Sequence, residues 1–204
     1  MATRMRGSIS VLIIIAVGLI LSAIAIPILH SSNRASRERM ASMAIKTLSL
    51  AESDFRANDR DRNHVNDFWT GDVSGLYYVK PVDGGTEVRL IEVDVAGADA
   101  RPIHPLPLGS GPRKGYRFQA LDQDDSVEGE KGVYRVDTDR SGHKVHNIAM
   151  FGFVAFPADG GEGRLVFVLN ENNTVFAFPG IQFRATWPAG AELLKLSHCR
   201  DDED

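Results

Sequence analysis

Between residues 59 and 67, side chains that carry oxygen recur at alternate positions. Asp59, Asp61, Asn63 and Asp67 occupy positions 1, 3, 5 and 9 of a D-x-D-x-N-x-x-x-D array. A chain that curls tightly turns such side chains toward one point, and the Val65 carbonyl at position 7 can join them. Hard oxygen donors of this kind suit Ca²⁺. The array departs from a full calcium loop in two places. His64 stands where a glycine would permit the sharp turn. Thr70 stands where an acidic residue would close the shell, with Asp72 two residues beyond it. Arg60 and Arg62 also reduce the local negative charge. Two expectations follow: a calcium loop built by Asp59, Asp61, Asn63, Val65 and Asp67, or a solvated polar turn after a helix.

Other constellations carry less chemistry. His143 and His146 lie three residues apart, so on a strand their rings point to opposite faces, and they read as surface histidines. His198 and Cys199 are sequence neighbours and poorly placed as a base and nucleophile. Cys199 is the only cysteine, which excludes an intramolecular disulfide. Gly109 to Gly115 lacks the spacing of a phosphate loop and reads as a turn. Phe68, Trp69, Tyr77 and Tyr78 form an aromatic group that reads as core packing of a sheet against a helix. No nucleophile–base pair, paired carboxylate or metal quartet emerges, so the expectation is a non-enzymatic protein.

The elements that must position these residues begin at the N-terminus. Ile9 to Leu29 contains no charged residue, and about 20 apolar residues match the hydrocarbon core of a bilayer. Arg4 and Arg6 precede the run, as expected for a cytoplasmic start. A cleavable signal peptide is the rival reading, with Ala23-Ile24-Ala25 as its cleavage site. Pro27 removes a helical hydrogen bond and predicts a kink. From Asn33 to Phe55 there is neither Gly nor Pro. Met40, Ala44, Thr47, Ala51 and Phe55 recur at helical spacing, widened by Ala41, Ile45 and Leu48, with Glu52 outside the stripe. The Met40/Met43 pair reads as core filler. One helix of about 45 residues is expected to run through both halves at 1.5 Å per residue.

Short apolar runs bounded by turn residues fill the remainder. Leu76–Val79, Tyr116–Leu121, Val133–Val136, Phe151–Phe156, Leu165–Leu169 and Thr174–Phe178 predict strands. Asn170 to Asn173 predicts a hairpin turn between the last two. Residues 88–98 lean toward helix, and Pro188–Leu196 predicts a short C-terminal helix. The fold class is therefore α+β: a long N-terminal helix, half transmembrane and half amphipathic, packed on a small antiparallel β-sheet. The organisation reads as a cytoplasmic start (1–8), a transmembrane helix (9–29), its amphipathic continuation (30–56), an exported domain (57–198) and an acidic tail (199–204). Residues 1–56 carry seven Lys/Arg against three Asp/Glu, and the remainder sixteen against twenty-four. That acidic remainder argues against nucleic acid as a partner.

The layout resembles type IV pilins and the pseudopilins of type II secretion. The matching pieces are Ala23-Ile24-Ala25-Ile26-Pro27 at the end of the apolar run and the helix bearing Ala51-Glu52-Ser53-Asp54-Phe55. Pilin-like proteins of planctomycete type, with an Asp-rich loop and a Phe-Trp-Thr-Gly-Asp segment, are similar over residues 58–78. The resemblance implies a single-pass protein of the bacterial inner membrane, with its N-terminus cytoplasmic and its C-terminal domain periplasmic. It implies the lipid bilayer and other pilin-like subunits or secretion-system assembly proteins as partners. Aligned on Pro27, Met5 and Ser10 occupy the places of the family's processing glycine and membrane-embedded glutamate, and the nearest glycine is Gly7. An accessory subunit fits this pattern better than a major one. The alternative is a stand-alone anchored or secreted binding module with Ca²⁺ as its possible ion.

Overall fold

The computed structural model describes residues 2–104, 110–124, 132–158, 163–179, 186–187 and 194–195. The chain divides into two compact units, with the boundary between Ser36 and Arg37. A single α-helix, α1, runs over Ala2–Ala57 and contains Pro27. It is longer than expected, because the residues before Ile9 are helical as well. Ile14 to Leu29 exposes large apolar side chains, among them Ile15, Leu19, Ile20 and Leu21. This helix is long and apolar enough to cross a membrane. Near the proline, the Ser22 hydroxyl donates to the Gly18 carbonyl at 2.8 Å, not to the Ala23 carbonyl that Pro27 frees.

The second unit starts at Arg37 and holds most of the chain's packing. Ala41, Ala44, Ile45, Leu48, Ala51 and Phe55 are buried on one face of α1. Met40, Met43 and Thr47 are exposed, which corrects the expected stripe and the expected core role of the methionine pair. The buried line runs through positions 41, 45, 48, 52 and 55, and Glu52 therefore lies on it, fully buried. The helix ends in a Schellman arrangement: Asp59 takes φ 43° and the Arg60 N–H donates to the Phe55 carbonyl at 3.1 Å.

After the Asp-rich loop come β1 (Phe68–Trp69), a 3-10 turn (Ser74–Tyr77) and a one-turn helix α2 (Val93–Ala96). Strands β2 (Tyr116–Ala120), β3 (Gln123–Asp124), β4 (Asp137–Thr138), β5 (Lys144–Asn147), β6 (Gly152–Pro157), β7 (Leu165–Asn170) and β8 (Val175–Pro179) follow. β9 (Thr186–Trp187) and β10 (Leu194–Lys195) complete the described elements. An antiparallel five-stranded sheet has the order β10-β8-β7-β6-β2, a three-stranded one the order β1-β5-β4, and β3 pairs with β9 in parallel. The architecture is α+β, as expected.

Alternation along the five-stranded sheet decides where α1 packs. Phe118, Phe153, Phe167 and Leu169 point to one face and share a core with Ile45, Leu48 and Phe55 of α1. Val154, Val166 and Val168 point to the other, beside Leu121 and Tyr134. Each large aliphatic or aromatic side chain so buried stabilises the fold by roughly 1.5–3 kcal/mol.

Two expected strands are absent. Leu76 lies in the 3-10 turn, because the Asp72 and Asp99 carboxylates draw the N–H groups of Val73, Ser74 and Gly75 inward. Val133–Val136 forms only an isolated bridge from Val133 to Gln123, and the strand falls on Asp137–Thr138. Of the expected C-terminal helix, Leu194–Lys195 pairs instead with β8, and its other residues lie outside the described set, as do His198 and Cys199. The hairpin at Asn170–Asn173 is present, with Asn173 at φ 58°.

Candidate metal centre

The Asp-rich loop follows directly from the helix stop and is shaped by its own side chains. The His64 N–H donates to Asp59 Oδ2 at 3.2 Å, the Asn63 N–H to Asp61 Oδ1 at 3.4 Å, and the Val65 N–H to Asn63 Oδ1 at 2.7 Å. Arg62 and His64 take φ 55° and 66°. The sharp turn is thus made without the glycine that the sequence lacked there; Asx-type bonds hold non-glycine residues in the left-handed region. The Val82 N–H closes the loop from outside by donating to the Asp61 carbonyl at 2.7 Å.

This curl brings some of the expected ligands together and sends others elsewhere. Asp61 and Asp67 are buried and converge. The Asn63 amide donates to Asp67 Oδ2 at 3.1 Å. Asp59 is half-buried, with Oδ1 lacking a partner. The Val65 carbonyl accepts from the Asp67 N–H at 3.1 Å and its side chain is exposed. Asp72 does not complete the loop. Its Oδ1 accepts from the Trp69 indole and the Gly75 N–H, and its Oδ2 from the Ser74 hydroxyl and the Ile103 N–H. Arg60 and Arg62 turn away to Asp54 and Asp83, each at 2.9 Å.

The residue that joins Asp61 and Asp67 is His146, from β5. Its Nε2 lies 3.7 Å from Asp61 Oδ2 and its Nδ1 lies 3.3 Å from Asp67 Oδ2. Donor atoms of the three side chains all fall within 4.8 Å of one another. His146 is 9% exposed, which corrects its reading as a surface residue. The physical reason is the position of β5 between β1 and β4: Val145, His146 and Asn147 are all buried, so simple in–out alternation fails. Trp69 stands opposite His146 in the β1–β5 register, and the two rings meet edge to face at 5.5 Å. Glu52 completes the surroundings from α1. Its Oε2 accepts from the Trp69 N–H at 2.9 Å, and its Oε1 is buried without a partner.

The electrostatics follow from burial and crowding. Burial pushes the Asp61 carboxyl up to about 6 against the pull of His146, with Asp67 adding to the rise. Burial lowers His146, but the carboxylates of Asp67, Asp61 and Asp137 outweigh it, and the imidazole stands above its ordinary range. Glu52 is raised well above a normal carboxyl, first by burial and further by Asp67. These are the properties of a buried acidic pocket holding one imidazole.

A second trio, His104, Asp139 and His143, gathers at the surface. The His104 and His143 rings are 5.9 Å apart, and Asp139 Oδ1 accepts from the Ser141 and His143 N–H groups. Here His143 is exposed, as its sequence position implied. Sequence reasoning missed Glu52 and His146. The available signal for Glu52 was its place three residues before Phe55 on the buried line of α1. No local signal marked His146.

The aromatic residues behave as expected: Phe68 is in the core, and Trp69, Tyr77 and Tyr78 pack against it. Of the expected turn at Gly109–Gly115, Gly109 lies outside the described residues, and the chain turns over Lys114 and Gly115, at φ 51° and 82°, between the bridged Arg113 and Tyr116. No protein-family model, no curated protein and no solved structure matches this chain.

Proposed function

We propose that this chain is a membrane-anchored, non-enzymatic pilin-like subunit, an accessory component of a type II secretion or type IV pilus-type machine. The carrying observation is α1 itself. One helical element bears an exposed apolar stretch over Ile14–Leu29 and then buries a face at Ala41–Phe55 in the sheet core. That succession suits a subunit held in lipid by one half of a helix and folded around the other. In this reading the N-terminus is cytoplasmic and the β region is periplasmic, with Arg4 and Arg6 as the inner anchor.

The outward side of the second helical half supports a role in subunit contacts. Met43 is 63% exposed and Leu50 69%, seven residues apart on one side of the helix, with Met40 beside Met43. Apolar positions at this spacing suit a neighbouring helix. The missing glutamate at Ser10 removes the carboxylate that would meet a neighbour's terminal amine, which is why an accessory place fits better than a filament-building one.

The test is biochemical fractionation of the native chain. The protein should resist alkaline extraction of membranes, and its intact mass should correspond to the uncut chain or to one trimmed near Gly7. It should co-purify with assembly-platform proteins or appear in sheared filaments. A freely soluble product beginning at Ile26 would reduce the reading to a secreted β module.

A further inference from the structure

Of the chemistry-bearing clusters, the His104–Asp139–His143 trio has both of its imidazoles exposed, and the apolar outer side of α1 belongs to the function already proposed. The pocket beneath the Asp-rich loop goes further. We infer that Asp61, Asp67 and His146 bind a divalent transition-metal ion of the Zn²⁺ class, and that the loop and β5 are tied together through it.

The donor set supports this ion class. Two carboxylates and one imidazole suit Zn²⁺ and its neighbours, whereas Ca²⁺ takes six to eight oxygens. Two of the oxygens a calcium loop would need are engaged elsewhere, the Val65 carbonyl by the Asp67 N–H and Asp72 by Trp69, Ser74, Gly75 and Ile103, whereas Asp59 Oδ1 has no partner. Thr70 at position 12 supplies no carboxylate, and its carbonyl accepts from Arg135 Nε at 2.9 Å.

The geometry supports a ligand independently of the acidic count. Asp67 is 4% exposed and its Oδ1 has no hydrogen-bond partner. His146 Nδ1 is likewise buried and makes no well-formed hydrogen bond, although it lies 3.3 Å from Asp67 Oδ2. Buried polar atoms without partners are costly, so Asp67 Oδ1 and His146 Nδ1, on two of the three donor side chains, mark a site that an ion would satisfy. Donor atoms that all lie within 4.8 Å of one another need to contract by at most roughly 1.5 Å to reach the spacing around a tetrahedral ion with bonds of about 2.0–2.1 Å. The loop residues His64, Val65 and Asn66, between Asp61 and Asp67, are exposed. Neither loop arginine competes for the carboxylates, since each is held by another aspartate.

The structure also places a second layer around the trio. The Asn63 amide orients Asp67, and the Trp69 ring edge confines His146. Glu52 adds a further buried carboxyl beside Asp67, held by the Trp69 N–H, and is a positioning residue in this arrangement.

The test titrates Zn²⁺, Co²⁺ and Ca²⁺ separately into the full-length chain in detergent, by calorimetry and by melting temperature. Zn²⁺ should bind with a stoichiometry of one at this pocket and raise the melting temperature by several degrees, with Ca²⁺ at the same concentration doing neither. Asp67→Asn and His146→Gln should each weaken Zn²⁺ binding by at least about tenfold, while His143→Ala leaves it intact. X-ray absorption of the Zn²⁺-loaded wild type needs no variant to fold, and it should find one imidazole with oxygen neighbours. Three results would overturn the proposal: two imidazoles at the ion with loss of binding in His143→Ala, which assigns the metal to the exposed trio; Ca²⁺ binding insensitive to His146→Gln, which restores an oxygen-only loop; or no binding of any ion, which leaves a buried imidazole–carboxylate pair.

Discussion

At the residue scale, two positions of the Phe68-Trp69-Thr70-Gly71-Asp72 segment and its sequel are set by close approach. A Cβ on Gly75 would fall 2.4 Å from the Trp69 indole, and one on Gly71 2.6 Å from Val145 Cγ1. Gly75→Ala should therefore push Trp69 off its bonds to Asp72 and destabilise the fold by about 1–3 kcal/mol, read as a lower urea midpoint at unchanged slope. Asp99 sets a pH dependence. Burial, reinforced by Asp72, holds its carboxyl up at about 6, while it accepts from the N–H groups of Val73, Ser74 and Arg101. A carboxyl whose folded value exceeds its unfolded one costs stability as it ionises. Its contribution is therefore intact below about pH 4 and lost as pH rises through about 6, on the order of 3 kcal/mol in all. The melting temperature of wild type minus that of Asp99→Asn should accordingly fall between about pH 4.5 and 7, and a rise over that range would contradict the assignment.

At the element scale, α1 contributes to the core through a line that carries an acid. Leu48 and Ile45 are fully buried against the sheet, and Leu48→Ala should cost about 2–5 kcal/mol by leaving a cavity between helix and sheet. Leu50→Ala on the opposite side should change stability by less than about 0.5 kcal/mol, since that side chain is 69% exposed. Thermal denaturation of the two variants side by side measures the difference. If Leu50→Ala leaves the melt unchanged but abolishes co-purification with membrane partners, the outer side of α1 acts in assembly and not in folding. The short strands β1 and β5 have a different task. They add little sheet, yet their pairing of Trp69 with His146 holds the imidazole over the loop carboxylates.

At the scale of the whole molecule, the chain combines an apolar helical segment with a charged, largely acidic remainder. Replacing Ile20 with Lys should place a charge within the apolar run at a cost of about 2.5–3.5 kcal/mol if the segment sits in lipid. Release of this variant from membranes by alkaline wash, with the wild type retained, is the expected outcome. Equal behaviour of both would count against a retained anchor.

Much of this protein was legible in its residues. The apolar run, the glycine-free stretch after Pro27, and strands β2, β6, β7 and β8 declare themselves because their periods are local properties of the chain. The aspartates of the loop were visible for the same reason, as alternate oxygens over nine residues. What only the tertiary structure decided is which atoms meet. His146 is about eighty residues beyond the loop, and nothing in its neighbours predicts that β5 lies between two short strands and buries every residue from Val145 to Asn147. Glu52 carries a charge that pattern reading assigns to solvent, yet the rotation of α1 against the sheet places it inside. Pairing at long range depends on how surfaces pack, and packing is a property of the whole core and not of any short stretch.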